Sequence, residues 1–499
     1  MKKYFLAVAS FFIYSHISLG QVYPGQMDST FVPVRSHHYD PELTFDFCVN
    51  EPAWSNQAGI HSAFGSTDRL YFRKEVPVNH DNDLSSSYST TVWRGERANA
   101  QILVWSSEAL EQVRVSTQDL RSAEGNIIPK DRITFELVRY VLSNYPYAEK
   151  KAICGESPYK SGFLMPDRFE TLDRFDLPSQ TTRPVWMMVD VPRGTAPGTY
   201  KGQVEVRAKG KAPQLLNLEI VVQNQLLPYP KDWKYRLDLW QNPWAVAWYN
   251  HVEPWSPEHK MLLKQHLKHY ADAGGTYITT YGVHSPWSDN SYMIEGGMIE
   301  WIKKADGTWA FDYKIFDEYV ELAMECGIDE AITLYTPIPW GFRHRYKDEA
   351  TGDYSYINWT PSSKEFKKMW NIFLTDFKFH LEAKSWLDIT YIGINENPME
   401  ETLAAINVVR NHDKCWKITY AGNWHKELDG LLDDYSFLYG EEPTIAEQKA
   451  RAATGRTSTV YVCCNPPIPN NFVFSPPIEG RWISWYVTVS YTHLTLPTT

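Results

Sequence analysis

The chain reads as a multidomain protein, an all-β sandwich followed by a parallel (β/α)8 TIM barrel, and three observations predict this. Residues 21–225 are short β-type runs separated by turn chemistry, with no sustained 3.6-residue period. From residue 236 onward, β-branched apolar runs alternate with stretches of helical spacing, the pattern of a parallel sheet with crossover helices. Between them lies Leu226-Leu227-Pro228-Tyr229-Pro230-Lys231-Asp232, whose two prolines stiffen a connection, so 226–235 is read as a linker. A length of 499 residues suits two domains of this size.

Residues 1–20 have the layout of a secretory signal peptide: Lys2 and Lys3, an apolar run from Tyr4, then Ser18 and Gly20. The expectation is export, to the periplasm or the extracellular space, with no membrane span, because no later segment is long and apolar enough. In the sandwich, 185–191 reads as a strand, 192–198 as a loop with a Pro-Gly turn, 200–206 as its partner strand, and 215–222 as another.

The barrel segments follow in order. Strand 236–240 leads to helix 257–273, stopped by Gly274-Gly275, and then to strand 276–281. Helix 315–326 precedes strand 331–335, helix 363–383 precedes strand 389–394, and helix 399–411 precedes strand 417–421. Strand 435–439, a helix near 444–453 and strand 459–464 complete seven strands. The barrel, 236–488, is therefore expected to lack its last strand and helix. The final stretch, 489–499, resembles an in-frame translation of a sequencing adapter and is set aside from the fold, which leaves two sheet edges unpaired.

A net charge of −11 and the absence of a basic run argue against nucleic acid as a partner. Six cysteines without CxxC spacing imply no zinc site, no metal pattern such as H-x-x-E-H occurs, and no Gly-rich phosphate loop follows a strand. No cofactor is implied. The strand ends instead collect aromatic and amide groups, the chemistry that stacks on pyranose faces and reads hydroxyls. Trp240, Gln241 and Asn242 follow the first strand, His284 and Trp287 the second, Tyr335 and Trp340 the third. Asn423, Trp424 and His425 follow the fifth, and Tyr439, Glu441 and Glu442 the sixth. The fourth strand ends in Asn395-Glu396-Asn397-Pro398, which places Glu396 where a barrel puts a reacting acid. A helix-capping role for Glu396 is the competing reading, since Glu400 and Glu401 open the next helix.

Leu237-Asp238-Leu239-Trp240-Gln241-Asn242-Pro243, Asp306-Gly307-Thr308-Trp309-Ala310-Phe311-Asp312-Tyr313 and the stretch 394–400 resemble glycoside hydrolase family 123. The resemblance covers nearly all of 21–488 and implies an exo-acting β-N-acetylgalactosaminidase whose adjacent Asp-Glu pair supports substrate-assisted retention. The Glu carries over onto Glu396; the Asp does not, because this chain has Asn395, and Asn397 stands where close relatives are expected to have Arg. Glu396 would protonate the leaving oxygen while Asn395 orients the 2-acetamido group. Losing the carboxylate's charge would cost about tenfold or more in rate. An Asn-Glu pair also resembles that of the endo-β-N-acetylglucosaminidases of family 85, where the amide orients the acetamido group. The implied substrate is a glycolipid or glycoprotein oligosaccharide with a terminal β-linked N-acetylhexosamine, GalNAc first. Trp240, Asn242, His284, Tyr335, Trp340, Asn423, Trp424 and Tyr439 would bind it. Two alternatives stay open: a retaining β-glycosidase with a separate carboxylate nucleophile, for which Glu441 and Glu442 are the candidates, and a non-catalytic carbohydrate-binding homologue.

Overall fold

A computed structural model describes residues 51–77, 84–143, 147–148, 151–152, 163–287, 296–463, 466, 468–490 and 493–496. The expected signal peptide at 1–20 lies outside these residues. The chain divides into two compact units, 1–228 with 467–481, and 229–466 with 482–499.

The first unit is built on two sheets. One runs in the order His61–Gly65, Arg97–Ser106, Thr181–Asp190, Ile133–Ser143, Phe163–Thr171. The other runs Phe175–Leu177, Leu110–Thr117, Gly198–Arg207, Gln214–Leu226, Ser87–Arg94, with two short strands beside this path. Alternate residues of both sheets, Val185, Met187 and Val189 from one and Val204, Val206 and Ile220 from the other, form one apolar core. The expectation that 185–191 and 200–206 pair is thereby corrected. They belong to opposite sheets, and the loop between them passes from one sheet to the other. Each strand's period of two points its apolar residues at that core, and the same pattern suits a neighbour or a facing strand equally.

The second unit holds an eight-stranded parallel sheet. Its strands are β1 (Leu237–Leu239), β2 (Tyr277–Tyr281), β3 (Ala331–Tyr335), β4 (Thr390–Ile394), β5 (Lys417–Gly422), β6 (Asp434–Leu438), β7 (Thr457–Tyr461) and β8 (His493–Leu496). The order is β1-β8-β7-β6-β5-β4-β3-β2, and one bridge, Leu237 to Gly275, links β1 to the approach to β2. Helices α1 (Pro243–Asn250), α2 (Pro257–Asp272), α3 (Lys314–Glu325), α4 (Lys364–Lys384), α5 (Met399–His412) and α6 (Ile445–Ala453) lie in the connections. Their starts follow from capping chemistry: Asn242, Ser256, Ser363 and Thr444 each accept a backbone N–H of the first turn. Apolar stripes such as Phe366, Trp370, Phe373 and Phe377 of α4 then bury against the sheet.

The sheet's eighth position, expected to be empty, is taken by His493–Leu496. This segment pairs with β1 through Leu237–Leu494, Asp238–Thr495 and Leu239–Leu496, and with β7 through Thr459–His493. The physical reason is backbone pairing: the open edges of β1 and β7 carry free N–H and C=O groups that an extended segment between them satisfies. A second departure is a four-stranded sheet of Trp309–Asp312, Glu300–Lys303, Arg343–Asp348 and Tyr354–Asn358, which the sequence reading did not separate from the loops around β3. Cys326, Cys415 and Cys463 are free thiols; Cys48, Cys154 and Cys464 lie outside the described residues or side chains.

Candidate active site

The site is built from the end of β4. Ile392 and Ile394 are buried in the sheet, and Gly393 between them is required by close approach, because a Cβ there would lie 2.9 Å from the Tyr335 ring. Beyond Ile394 the chain leaves the sheet, and loop contacts pin Asn395 and Asn397 on either side of Glu396. The Asn395 N–H donates to Thr336 Oγ1 at 3.4 Å, and its Nδ2 donates to the Pro286 carbonyl at 3.4 Å. Asn397 Nδ2 donates to the Ile338 carbonyl at 3.2 Å, and the Asn397 carbonyl accepts from Thr402 Oγ1 at 3.0 Å. Pro398 then starts α5 with no side-chain cap, and Glu400 and Glu401 occupy its first turn. Glu396 is therefore not the cap.

Glu396 instead accepts a hydrogen bond at 2.7 Å from the hydroxyl of Tyr461, the last residue of β7. Its surface is open to solvent, yet neighbours crowd the carboxyl, and that desolvation raises its pKa above the ordinary value against the opposing pull of Tyr461. A carboxyl poised in this way can hold a proton to give to a leaving group. Tyr461 and Tyr420 are both pushed up by burial and by the nearby Glu396 charge, so both remain neutral phenols. Asn395 is 3 % exposed, and its Oδ1 has no hydrogen-bond partner among the described residues. Its amide orientation is fixed by chemistry: the Pro286 carbonyl only accepts, so Nδ2 must face it and Oδ1 is left free to accept. A buried, unpaired acceptor beside a raised-pKa carboxyl invites an N–H donor from a ligand.

The catalytic-domain model of glycoside hydrolase 123 matches residues 240–493, and the model of its N-terminal domain matches residues 64–208. The chain belongs to glycoside hydrolase family 123. A family 123 glycoside hydrolase from Clostridium perfringens, described for glycolipid glycan hydrolysis, is similar in structure, with a TM-score of 0.79 and 25 % identity over 88 % of this chain and 78 % of that chain. A Bacteroides ovatus GH5 xyloglucanase aligns with a TM-score of only 0.22 and 8 % identity, over 83 % of this chain and 92 % of that one. No curated protein matches the chain.

In this family 123 glycoside hydrolase the other strand-end residues fall into three groups. Trp240, Trp287 and Tyr335 cluster at the ends of β1, β2 and β3, with Trp240 stacked on Trp287 at 5.6 Å and Tyr335 within 5.0 Å of both rings. Trp340 and Pro286 join the cluster to the dyad, since the Trp340 N–H donates at 2.9 Å to the same Pro286 carbonyl that holds Asn395. His284, half-buried and next to Arg345 and Arg343, has its pKa lowered to about 4 by burial and then by those cations, so it is neutral at ordinary pH.

A second group is engaged by the fold. Asn242 Oδ1 caps α1, and Gln241 bridges β1 and β2 by accepting from the Thr279 N–H at 2.8 Å. Trp424 packs on Tyr435 and Phe437, the His425 N–H donates to the Tyr435 hydroxyl, and Tyr439 stacks edge-on against Tyr486. Glu442 accepts from Tyr486 and from the Gly440 N–H. Asn423 and Glu441 form the third group, exposed near the ends of β5 and β6. Tyr461, Tyr420, Thr336 and Pro286 were missed from sequence. The structure ends β7 at Tyr461, whereas the sequence run 459–464 hides that tyrosine inside the strand, as 417–421 hides Tyr420.

Proposed function

We propose that this family 123 enzyme is an exported exo-glycosidase that removes terminal β-linked GalNAc from a glycolipid or glycoprotein glycan by substrate-assisted retention, its parallel sheet working as a (β/α)8 barrel. The 2-acetamido oxygen attacks the anomeric carbon as the glycosidic bond breaks, and Glu396 gives its proton to the leaving oxygen. Glu396 then takes a proton from water, which attacks the anomeric carbon and reopens the oxazolinium ring with net retention. Positive charge grows on the acetamido nitrogen in the first step, and Asn395 Oδ1 accepts its N–H.

The observation that carries this reading is the buried Asn395 Oδ1 without a partner beside a carboxyl raised by crowding. The separate-nucleophile alternative is less well supported. It asks for a second carboxylate about 5 Å from the acid, whereas the group bonded to Glu396 from β7 is the Tyr461 phenol. A tyrosine nucleophile needs an accessible phenolate, and burial and the Glu396 charge work against one here. The likeness to an enzyme described for glycolipid glycan hydrolysis supports a glycan as substrate.

The test is hydrolysis of an aryl 2-acetamido-β-galactoside beside the matching 2-hydroxy galactoside. Cleavage of the acetamido substrate alone is expected, with kcat reduced roughly 100-fold or more by Glu396→Gln for a poor leaving group. Equal cleavage of both substrates would overturn the mechanism.

A further inference from the structure

The connection from β3 to α4 contains an antiparallel hairpin, Arg343–Asp348 with Tyr354–Asn358. Its register pairs Arg343 with Asn358, Arg345 with Tyr356 and Lys347 with Tyr354, so these six side chains share one face. The opposite face turns His344 into the apolar core against Trp301, Trp359 and Trp370. Three cations and no carboxylate thus line one side of a hairpin in a protein of net charge −11.

The guanidinium groups are held in place by the tyrosines. Arg343 lies 3.7 Å over the Tyr356 ring and Arg345 lies 4.2 Å over the Tyr354 ring, and both rings are about half exposed. A guanidinium held over a ring face leaves N–H donors available for a carboxylate or sulfate, which an arginine can take through two parallel bonds. The neighbouring strand contributes one acid, Glu300, which accepts from the Tyr354 hydroxyl at 2.9 Å and lies 3.9 Å from Arg345. Arg343 and Lys347 have no ion pair among the described residues. Restraint by the rings lowers the ordering cost of binding an anion.

The hairpin also follows in the chain directly on residues that hold Asn395. Arg343 is three residues beyond Trp340, whose N–H shares the Pro286 carbonyl with Asn395, and both arginines act electrostatically on His284. As part of a β3–α4 connection, the hairpin leaves the sheet at the same strand ends as Glu396.

We propose that this hairpin face is a subsite for an anionic substituent, a sugar carboxylate or a sulfate ester, on a residue of the glycan beyond the scissile one. The subsite rests on the glycosidase reading and adds a preference for acidic glycans. Recognition is through Arg343 and Arg345, with Lys347 adding long-range attraction.

The experiment compares kcat/KM for three oligosaccharides with the same terminal β-GalNAc, one neutral, one sialylated and one sulfated, and for the aryl 2-acetamido-β-galactoside. Wild-type enzyme is expected to favour at least one anionic oligosaccharide by about tenfold, an advantage that shrinks as salt is raised to about 0.5 M. A response to one anionic substrate identifies the carboxylate or the sulfate as the ligand; a response to both identifies a general anion site. The double variant Arg343→Ala with Arg345→Ala should bring the anionic substrates down to the neutral value and leave the aryl glycoside within about twofold. The paired Lys variant should retain part of the preference, since charge remains while the planar fork is lost. Equal rates for neutral and anionic oligosaccharides, or an advantage that survives the double Ala variant, would overturn the subsite while leaving the GalNAc reading standing. Failure to cleave the aryl substrate would instead remove the GalNAc reading. The subsite would then be read by calorimetric titration of the same oligosaccharides, and equal affinity of wild-type and double-variant protein for all three would overturn it.

Discussion

Glu396 sits between opposed influences, desolvation that favours its protonated form and a Tyr461 hydrogen bond that favours the carboxylate. Removing the donor in Tyr461→Phe leaves desolvation unopposed, so the carboxyl pKa should rise further. A general acid with a higher pKa stays protonated to higher pH, and the alkaline limb of the kcat/KM profile should move upward. A limb that stays in place or moves down would show that Tyr461 does not tune the acid. Asn395 poses a different balance. Its Nδ2 donates to the Pro286 carbonyl, a contact that an ionised Asp could not make, so this loop suits an amide. Asn395→Ala removes the acceptor for the acetamido N–H and should lower kcat on the acetamido substrate about tenfold to a hundredfold, the worth of one hydrogen bond to a charged group. An unchanged kcat would place the orienting role elsewhere. Asn395 and Glu396 could be singled out as candidates because a carboxylate ending an apolar strand stands out, whereas Tyr461 and Tyr420 lie within strand runs where a tyrosine passes for core.

The β4 element carries the dyad only because its backbone comes close to β3. Gly393→Ala would press a methyl into the Tyr335 ring and within 3.1 Å of Thr333 Cγ2, both on β3. Tyr335 is buried and wedged against Trp240 and Trp287, so it cannot swing aside freely. Overpacking of this kind costs about 1–3 kcal/mol, and the variant should melt several degrees lower with altered near-ultraviolet circular dichroism from the displaced rings. Full stability with an unchanged aromatic signal would mean the strands can part at little cost. The helices and parallel strands named from sequence begin and end close to where periodicity and caps placed them, since the signals for α2, α4 and β3 are local: Ser256, Ser363 and the run Ala331–Tyr335, whereas α1 was not anticipated. The hairpin at 343–358 was not legible. Its charged face and its buried His344 blur the period-of-two pattern that marks a half-buried strand. Strand pairing in the sandwich was misjudged for a related reason, as a run's own pattern names its buried face and leaves its neighbour unspecified.

Across the whole parallel sheet, β1 and β6 each place a carboxyl in the interior, Asp238 and Asp434. Burial raises Asp238 to about 8, with the charge of Asp434 adding to the rise and the polar side chain of Trp240 opposing it. Asp434 is raised to about 6 by burial, against the pull of Arg236 and Arg451. These shifts couple folding to pH. With an ordinary value of 3.8, the unfolded chain releases the Asp238 proton well before the folded protein does, so the folded state binds more protons between 3.8 and about 8. Stability from this group is fully present below the unfolded value and is lost as pH rises through the folded one. Asp434 contributes in the same direction over the narrower window from 3.8 to about 6. Asp238→Asn removes the titration from both states and is nearly isosteric, so the packing around the side chain is kept. The variant should therefore be more stable than wild type near pH 8, and the difference should narrow as the pH approaches 4. Thermal denaturation of both proteins across that range reads the effect directly. A wild-type melting temperature that falls no faster with pH than the variant's, from pH 5 to pH 8, would mean that Asp238 is hydrated or paired and ionises at an ordinary value.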